Sequence, residues 1–168
     1  MRKLISILII STVTIVATID VNACGDKTLR VGRSIRYYQN FAARHPAAIL
    51  IHTAAIPSAK APKLSDFLKE VGYKTQVVDE FAQLSEATKS GQYDIVLIGP
   101  AEAAILQQQA ESSGSKTVIV PVVYKQTKAQ RTAVSGYKTI VKDAEYGEDF
   151  LIAVYKVFKS REKAQRKS

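Results

Sequence analysis

The chain has 168 residues, a length that suits one domain, and a formal net charge of +9. Hydrophobic residues make up 46% of it and charged residues 23%, which excludes a collagen-like or wholly disordered chain. A single cysteine and two histidines exclude an intramolecular disulfide and make a metal site improbable. The sequence contains no complete catalytic signature, so we expect no metal, no cofactor and, on balance, no enzymatic activity.

Residues 1–23 have the layout of a secretory signal peptide. Arg2 and Lys3 precede sixteen uncharged residues, 4–19, and small or β-branched residues at 21 and 23 lie before a cleavage point. The apolar run is shorter than the roughly 20 residues that a spanning helix needs, and an uncleaved anchor is the alternative. We expect export to the periplasm or the cell exterior.

Cleavage after Ala23 would make Cys24 the first mature residue. The stretch Val-Asn-Ala-Cys at 21–24 resembles the lipobox of bacterial lipoproteins, whose cysteine carries the lipid. Asn22 is larger and more polar than the residue usual at its place. Two outcomes therefore stay open, an unmodified mature chain and a lipid on Cys24 that would hold the protein at a membrane.

The body of the chain alternates between two kinds of hydrophobic pattern. Residues 24–46 are polar and irregular, and we expect a lead-in there with a short helix at 37–44. Apolar or β-rich runs then predict buried strands at 47–53, 73–79, 93–98, 117–124 and 137–141. Helical patterns lie between and after them, at 64–71, 81–91, 101–113, 128–135 and 148–164. Pro121, inside the fourth run, indicates a bulge or an edge position.

Strands that alternate with helices and read as apolar runs predict a parallel sheet covered on both faces. Short connections and right-handed crossovers make a doubly wound α/β domain over residues 47–168 the economical arrangement. Its last helix is basic.

Three stretches resemble parts of a response-regulator receiver domain. YDIVLI at 93–98 is similar to the receiver's third strand, GYKTIVKD at 136–143 to its fifth strand, and EDFLIAVYKVF at 148–158 to its last helix. The resemblance covers about residues 47–163 and implies a flavodoxin-like, five-stranded fold. It places Lys142 where the receiver has its lysine.

The receiver's reactive groups are replaced. Gly99 stands at the place of the phosphoacceptor aspartate, His52 and Thr53 at that of the metal-binding acids, and Tyr124 or its neighbour at that of the signalling hydroxyl. Phosphotransfer needs a carboxylate nucleophile and acids that hold Mg²⁺. The resemblance therefore implies a degenerate, non-phosphorylated receiver-like module. Residues 23–33 also look like the start of short exported bacterial proteins of unknown function.

In such sheets ligands bind beyond the carboxyl ends of the strands. There we expect a crevice for a small polar or anionic ligand, and Gly99 would let a ligand approach the backbone. Its candidate residues are His52, Thr53, Gly99, Tyr124 and Lys142, with Asp79 and Glu102 nearby. The alternative is that Gly99 begins a simple turn, Lys142 is a surface lysine and His52 is structural.

Two basic groups are candidate interaction surfaces. Residues 156–168 carry six cations and one carboxylate. The cluster of Arg33, Arg36, Tyr37 and Tyr38 pairs cations with aromatic rings, a composition favoured at interfaces. Because exported proteins rarely meet nucleic acid, we expect a protein partner or an anionic membrane surface instead. The alternatives are a solvated helix end and tyrosines that cover the sheet edge.

Together these patterns predict an exported, non-catalytic receiver-like module that binds a protein partner at the cell envelope. A small-ligand binding protein or minor enzyme that uses the crevice at the strand ends is the alternative.

Overall fold

The structure, a computed structural model, describes residues 25–57, 59–124, 127–145 and 147–166. The expected signal peptide at 1–23 and the candidate lipid site at Cys24 lie outside the described residues, and both stay predictions. No helix in the described part of the chain is long and apolar enough to cross a membrane.

The described residues form a regular alternation of strands and helices behind one N-terminal helix. The strands are β1 Ala48–His52, β2 Lys74–Val78, β3 Ile95–Ile98, β4 Val118–Val123 and β5 Val141–Lys142. The helices are α1 Gly25–Arg44, α2 Ala61–Val71, α3 Phe81–Lys89, α4 Pro100–Ser112, α5 Lys128–Ala133 and α6 Gly147–Gln165. A 3₁₀ turn at Thr53–Ala55 follows β1.

The five strands of the described residues are all parallel and lie in the order β2-β1-β3-β4-β5. This is the flavodoxin-like, doubly wound arrangement, and the predicted fold class is confirmed. Side chains of β1 alternate between the two faces of the sheet. Ile49 and Ile51 pack with Leu68 of α2 and Val154 of α6, whereas Leu50 packs on the opposite face with residues of α3 and α4. Burial on both faces explains why the central strands read as unbroken apolar runs.

The N-terminal helix is longer than the sequence predicts. We expected an irregular lead-in over 24–46 with a helix at 37–44, but α1 is one helix of 20 residues. Phe41 and Ala42 are 2% and 1% exposed, so the C-terminal part of this helix is packed against the domain. Ile35, Tyr38 and Ala42 recur at helical spacing, a signal that the many polar residues between them obscure.

Pro121 explains why the last strand is short. The expected edge position is wrong, since β4 lies between β3 and β5. The Val118 N–H donates to the Asp94 carbonyl beside β3, and the Val123 carbonyl accepts from the Asp143 N–H beyond β5. Because successive residues of a parallel strand bond to opposite sides, Pro121 turns its donor-free nitrogen toward β5. Pairing with β5 begins only at Val122, and β5 covers two residues instead of the five expected.

Candidate functional site

His52, at the end of β1, is a buried histidine with two defined neighbours. Its side chain is 2% exposed. Its Nε2 lies 3.2 Å from the carbonyl oxygen of Asp79. A carbonyl oxygen can only accept, so Nε2 must donate and carries a proton.

The other ring nitrogen faces a carboxylate. His52 Nδ1 lies 3.0 Å from Oε2 of Glu102, in the first turn of α4, and has no hydrogen-bond partner among the residues that the structure describes. With the ring proton on Nε2, both atoms of this contact are acceptors. The hydrogen bond to Asp79 orients the ring, with Nδ1 toward the first turn of α4.

The space beside the ends of β1 and β3 is occupied by the protein itself. The turn Thr53–Ala55 follows His52 directly. A Cβ added at Gly99 would lie 3.8 Å from the Ala54 carbonyl oxygen and 3.9 Å from the Ala55 Cα. Gly99 therefore faces the protein's own backbone at ordinary contact distance.

Tyr124 lines a cavity of about 360 Å³ at the carboxyl edge of the sheet. Its apolar wall contains the buried residues Ile56, Leu64 and Phe150. Burial raises the pKa of the Tyr124 hydroxyl, and the charge of Asp149 raises it further. The hydroxyl therefore stays protonated and can act as a hydrogen-bond donor at neutral pH.

The other four residues of the expected crevice lie elsewhere. His52, Thr53 and Gly99 do not line the Tyr124 cavity. Lys142 is exposed on β5, away from the lining of that cavity. Within the described ranges, no three histidine, cysteine, aspartate or glutamate side chains converge in the way that a metal site requires.

The second candidate surface is formed by α1 and α6, which run parallel. Tyr37 contacts Tyr155 with ring centroids 6.1 Å apart, and His45 Nε2 lies 3.4 Å from Glu162. A hydrogen bond to Tyr155 raises the pKa of Tyr37. Tyr37 is 49% exposed, whereas Tyr38 is partly buried against the core, and burial raises the pKa of Tyr38.

Of the four residues predicted as an interface, Tyr37 and Arg36 are exposed, and Tyr38 partly closes the core. Arg33 lies on α1, one turn before them. α6 adds residues that the same hypothesis did not connect with this cluster. An exposed stripe at spacings of four and three residues runs along α6, and its members are Ile152, Lys156, Lys159, Lys163 and Arg166.

We call one surface the α1–α6 face. It consists of Arg36 and Tyr37 on α1, Tyr155 on α6 and the exposed α6 stripe. Lys159 Nζ lies 2.9 Å from Glu162 Oε2 and 5.7 Å from the Tyr155 ring centroid. The hydrogen bond to Glu162 raises the pKa of Lys159 and lowers that of Glu162. Lys159 is thus an ammonium beside an aromatic ring. The regular spacing of the stripe is visible in the sequence. Nothing in the sequence indicates that the stripe lies beside α1.

No model of a known protein family matches the chain, and no curated protein matches it. The fold therefore defines the class by itself: the protein is an α/β protein of the flavodoxin-like kind.

Proposed function

We propose that this protein is an exported, non-catalytic module whose α1–α6 face binds a protein partner at the cell envelope. The observation that carries the proposal is the exposed cationic stripe of α6 beside the half-exposed ring of Tyr37. The partner surface that fits this face is acidic, with apolar groups that can pack against Tyr37 and Ile152.

The charge balance of the face supports an acidic partner. The stripe carries four cations, and Arg36 and Arg44 add exposed cations on α1. Glu162 approaches both Lys159 and His45, so it offsets part of this charge locally. A surface of one sign steers an oppositely charged partner and raises the association rate, with a strong dependence on ionic strength.

The exposed apolar side chains of this face offer contact area that charge alone does not provide. Tyr37 is 49% and Ile152 40% exposed, so both present large apolar surfaces to solvent. Tyrosine and arginine are enriched among residues that dominate binding energy, because they bury a large area and keep a polar end. A helix end that only contacts solvent would need the cations but not the exposed Tyr37 ring or the exposed Ile152 side chain.

The carboxyl edge of the sheet, where ligands usually bind in this fold, also bears on the choice between protein binding and small-ligand binding. Gly99 is packed against the Thr53–Ala55 turn, and the buried His52 contacts Asp79 and Glu102. These contacts support a structural role for His52. The second candidate function, small-ligand binding, is favoured by one observation, the cavity beside Tyr124.

Photo-crosslinking in intact cells tests the partner. Benzoylphenylalanine replaces Tyr37 in the full-length chain, and a matched protein carries it at the exposed Ala82 of α3. We expect one discrete protein adduct from position 37 and none of that mass from position 82. Reversing charge with Lys156→Glu and Lys163→Glu should reduce the adduct about tenfold or more, since each tenfold corresponds to about 1.4 kcal/mol.

Two results would contradict the proposal. Identical adducts from positions 37 and 82 would show that the α1–α6 face has no selectivity. Adducts to lipid alone would assign the face to an anionic membrane surface.

The envelope part of the proposal has a separate test. The intact mass of protein recovered from its own cell envelope should equal a chain cut after Ala23, with or without acyl groups on Cys24. A mass that includes residues 1–23 would show an uncleaved anchor, and recovery from the cytoplasm alone would refute export.

A further inference from the structure

The cavity beside Tyr124 has an apolar interior between α2 and the start of α6. Ile56, Leu64 and Phe150 are buried in its wall, and the partly buried Phe67 ring closes one side. Its volume of about 360 Å³ lies within the range of small-molecule sites. The interior can therefore accept a branched aliphatic or aromatic group.

The rim of this cavity carries charges of both signs, and the positive and negative side chains belong to different parts of the fold. Lys60 immediately precedes α2, Lys63 lies in its first turn, and both are exposed. Glu145, which lies between β5 and α6, also lines the cavity. The Glu145 N–H donates to Asp149 Oδ2 at 3.1 Å, which ties this loop to the first turn of α6.

We propose that this cavity binds a small amphipathic zwitterion, of which an apolar α-amino acid is the simplest. The carboxylate of the ligand lies toward Lys60 and Lys63, and its ammonium group lies toward Glu145. Its apolar side chain enters the space between Phe67 and Phe150. This site is separate from the α1–α6 face and does not depend on the protein-binding proposal.

Both signs of charge are needed for this assignment. A ligand with only a carboxylate would meet the lysines but also the carboxylate of Glu145. A ligand with only an amine would meet Glu145 but also the two lysines. A zwitterion pairs with both rims at once, and the apolar interior selects its side chain.

Gly147 gives the proposal a steric test. A Cβ at this position would lie 2.3 Å from Cδ1 and 2.4 Å from Cε1 of Phe67. The Phe67 ring must then move, and the ring is part of the cavity wall. Gly147 is not among the glycines with positive φ, so alanine there is compatible with the backbone.

Isothermal titration of the full-length protein in detergent with L-leucine and L-phenylalanine tests binding. The matched probes are 4-methylpentanoate, which lacks the ammonium group of leucine, and 3-methylbutylamine, which lacks its carboxylate. We expect at least one amino acid to bind about tenfold or more tightly than both matched probes. No binding of either amino acid at about 1 mM, or binding of both amino acids no tighter than that of the matched probes, would overturn the proposal.

Variants locate the site. Gly147→Ala should weaken amino-acid binding about tenfold or more. Glu145→Gln should weaken leucine binding but not that of 4-methylpentanoate, and Lys63→Gln should weaken both. Lys69→Gln, on the same helix but outside the cavity lining, is the control and should bind as the unsubstituted protein does. Unchanged affinity in both Glu145→Gln and Lys63→Gln would place the ligand elsewhere and refute the assignment, whatever the fate of Gly147→Ala.

Discussion

Replacing the buried His52 with alanine should lower the free energy of unfolding by about 3 kcal/mol. The Asp79 carbonyl loses its 3.2 Å bond from Nε2, which costs about 1 kcal/mol net. The ring is 2% exposed, so its removal leaves a void, and large-to-small core substitutions cost at least about 2 kcal/mol. For a chain of this size the melting temperature should fall by roughly 10 °C.

Urea unfolding followed by circular dichroism measures this change, and the slope with denaturant should stay constant. His52→Gln is the matched control, because its amide N–H can donate to the Asp79 carbonyl from a similar position. It should retain about half of the stability lost in the alanine variant, since it restores the hydrogen bond and part of the volume. A loss below about 1 kcal/mol for His52→Ala, or equal losses for the two variants, would refute the packing and bonding role given to this histidine.

Three further changes probe the same framework. Gly72→Ala should lower the free energy of unfolding by about 1–2 kcal/mol, as measured by urea unfolding. The cause is the backbone angle φ of +115°, since the nearest side-chain atom leaves room for a Cβ. A loss below about 0.3 kcal/mol would contradict this explanation. Arg161→Ala removes 3.0 Å and 2.8 Å bonds to the Asp94 and Lys116 carbonyls, and should cost about 1–2 kcal/mol, more than Arg161→Lys. Burial raises the pKa of Tyr73 to about 12, so stability should be complete below about pH 10 and fall as pH rises toward 12. Tyr73→Phe should show a smaller fall in alkaline unfolding scans, and an identical fall would exclude Tyr73 as its source.

The elements that the sequence predicted well are those whose signal is local. The run at 93–98 contains β3, and the apolar spacing of Leu64, Leu68 and Val71 lies within α2. Gly72 ends that helix with a left-handed conformation, which glycine adopts readily. Such patterns record burial on one or both faces, which depends on residue type and spacing.

The elements that were predicted poorly depend on neighbours. α1 shows few apolar residues, and its position becomes evident only when Phe41 meets Tyr155, with ring centroids 4.9 Å apart. The extent of β5 depends on which side of β4 the nitrogen of Pro121 faces. That side follows from the register of β4 with β3 and not from the sequence around the proline.

The candidate sites divide in the same way. Tyr124 was predicted from its place at a strand end, and it does line a cavity. Lys60 and Glu145 had no signal, because neither belongs to a motif and 85 positions separate them along the chain. They face one cavity since the start of α2 and the loop before α6 meet at the same edge of the sheet.

By itself, the sequence determined the alternation of buried strands and helices, hence a parallel, doubly wound sheet, because burial leaves a periodic record in residue type. It also carried the excess of cations on α6. The tertiary structure alone decided that α1 packs along α6, that the Thr53–Ala55 turn occupies the space beside Gly99, and that charges of opposite sign border the Tyr124 cavity. These are contacts between residues far apart in the chain, and no local pattern encodes which distant elements will meet.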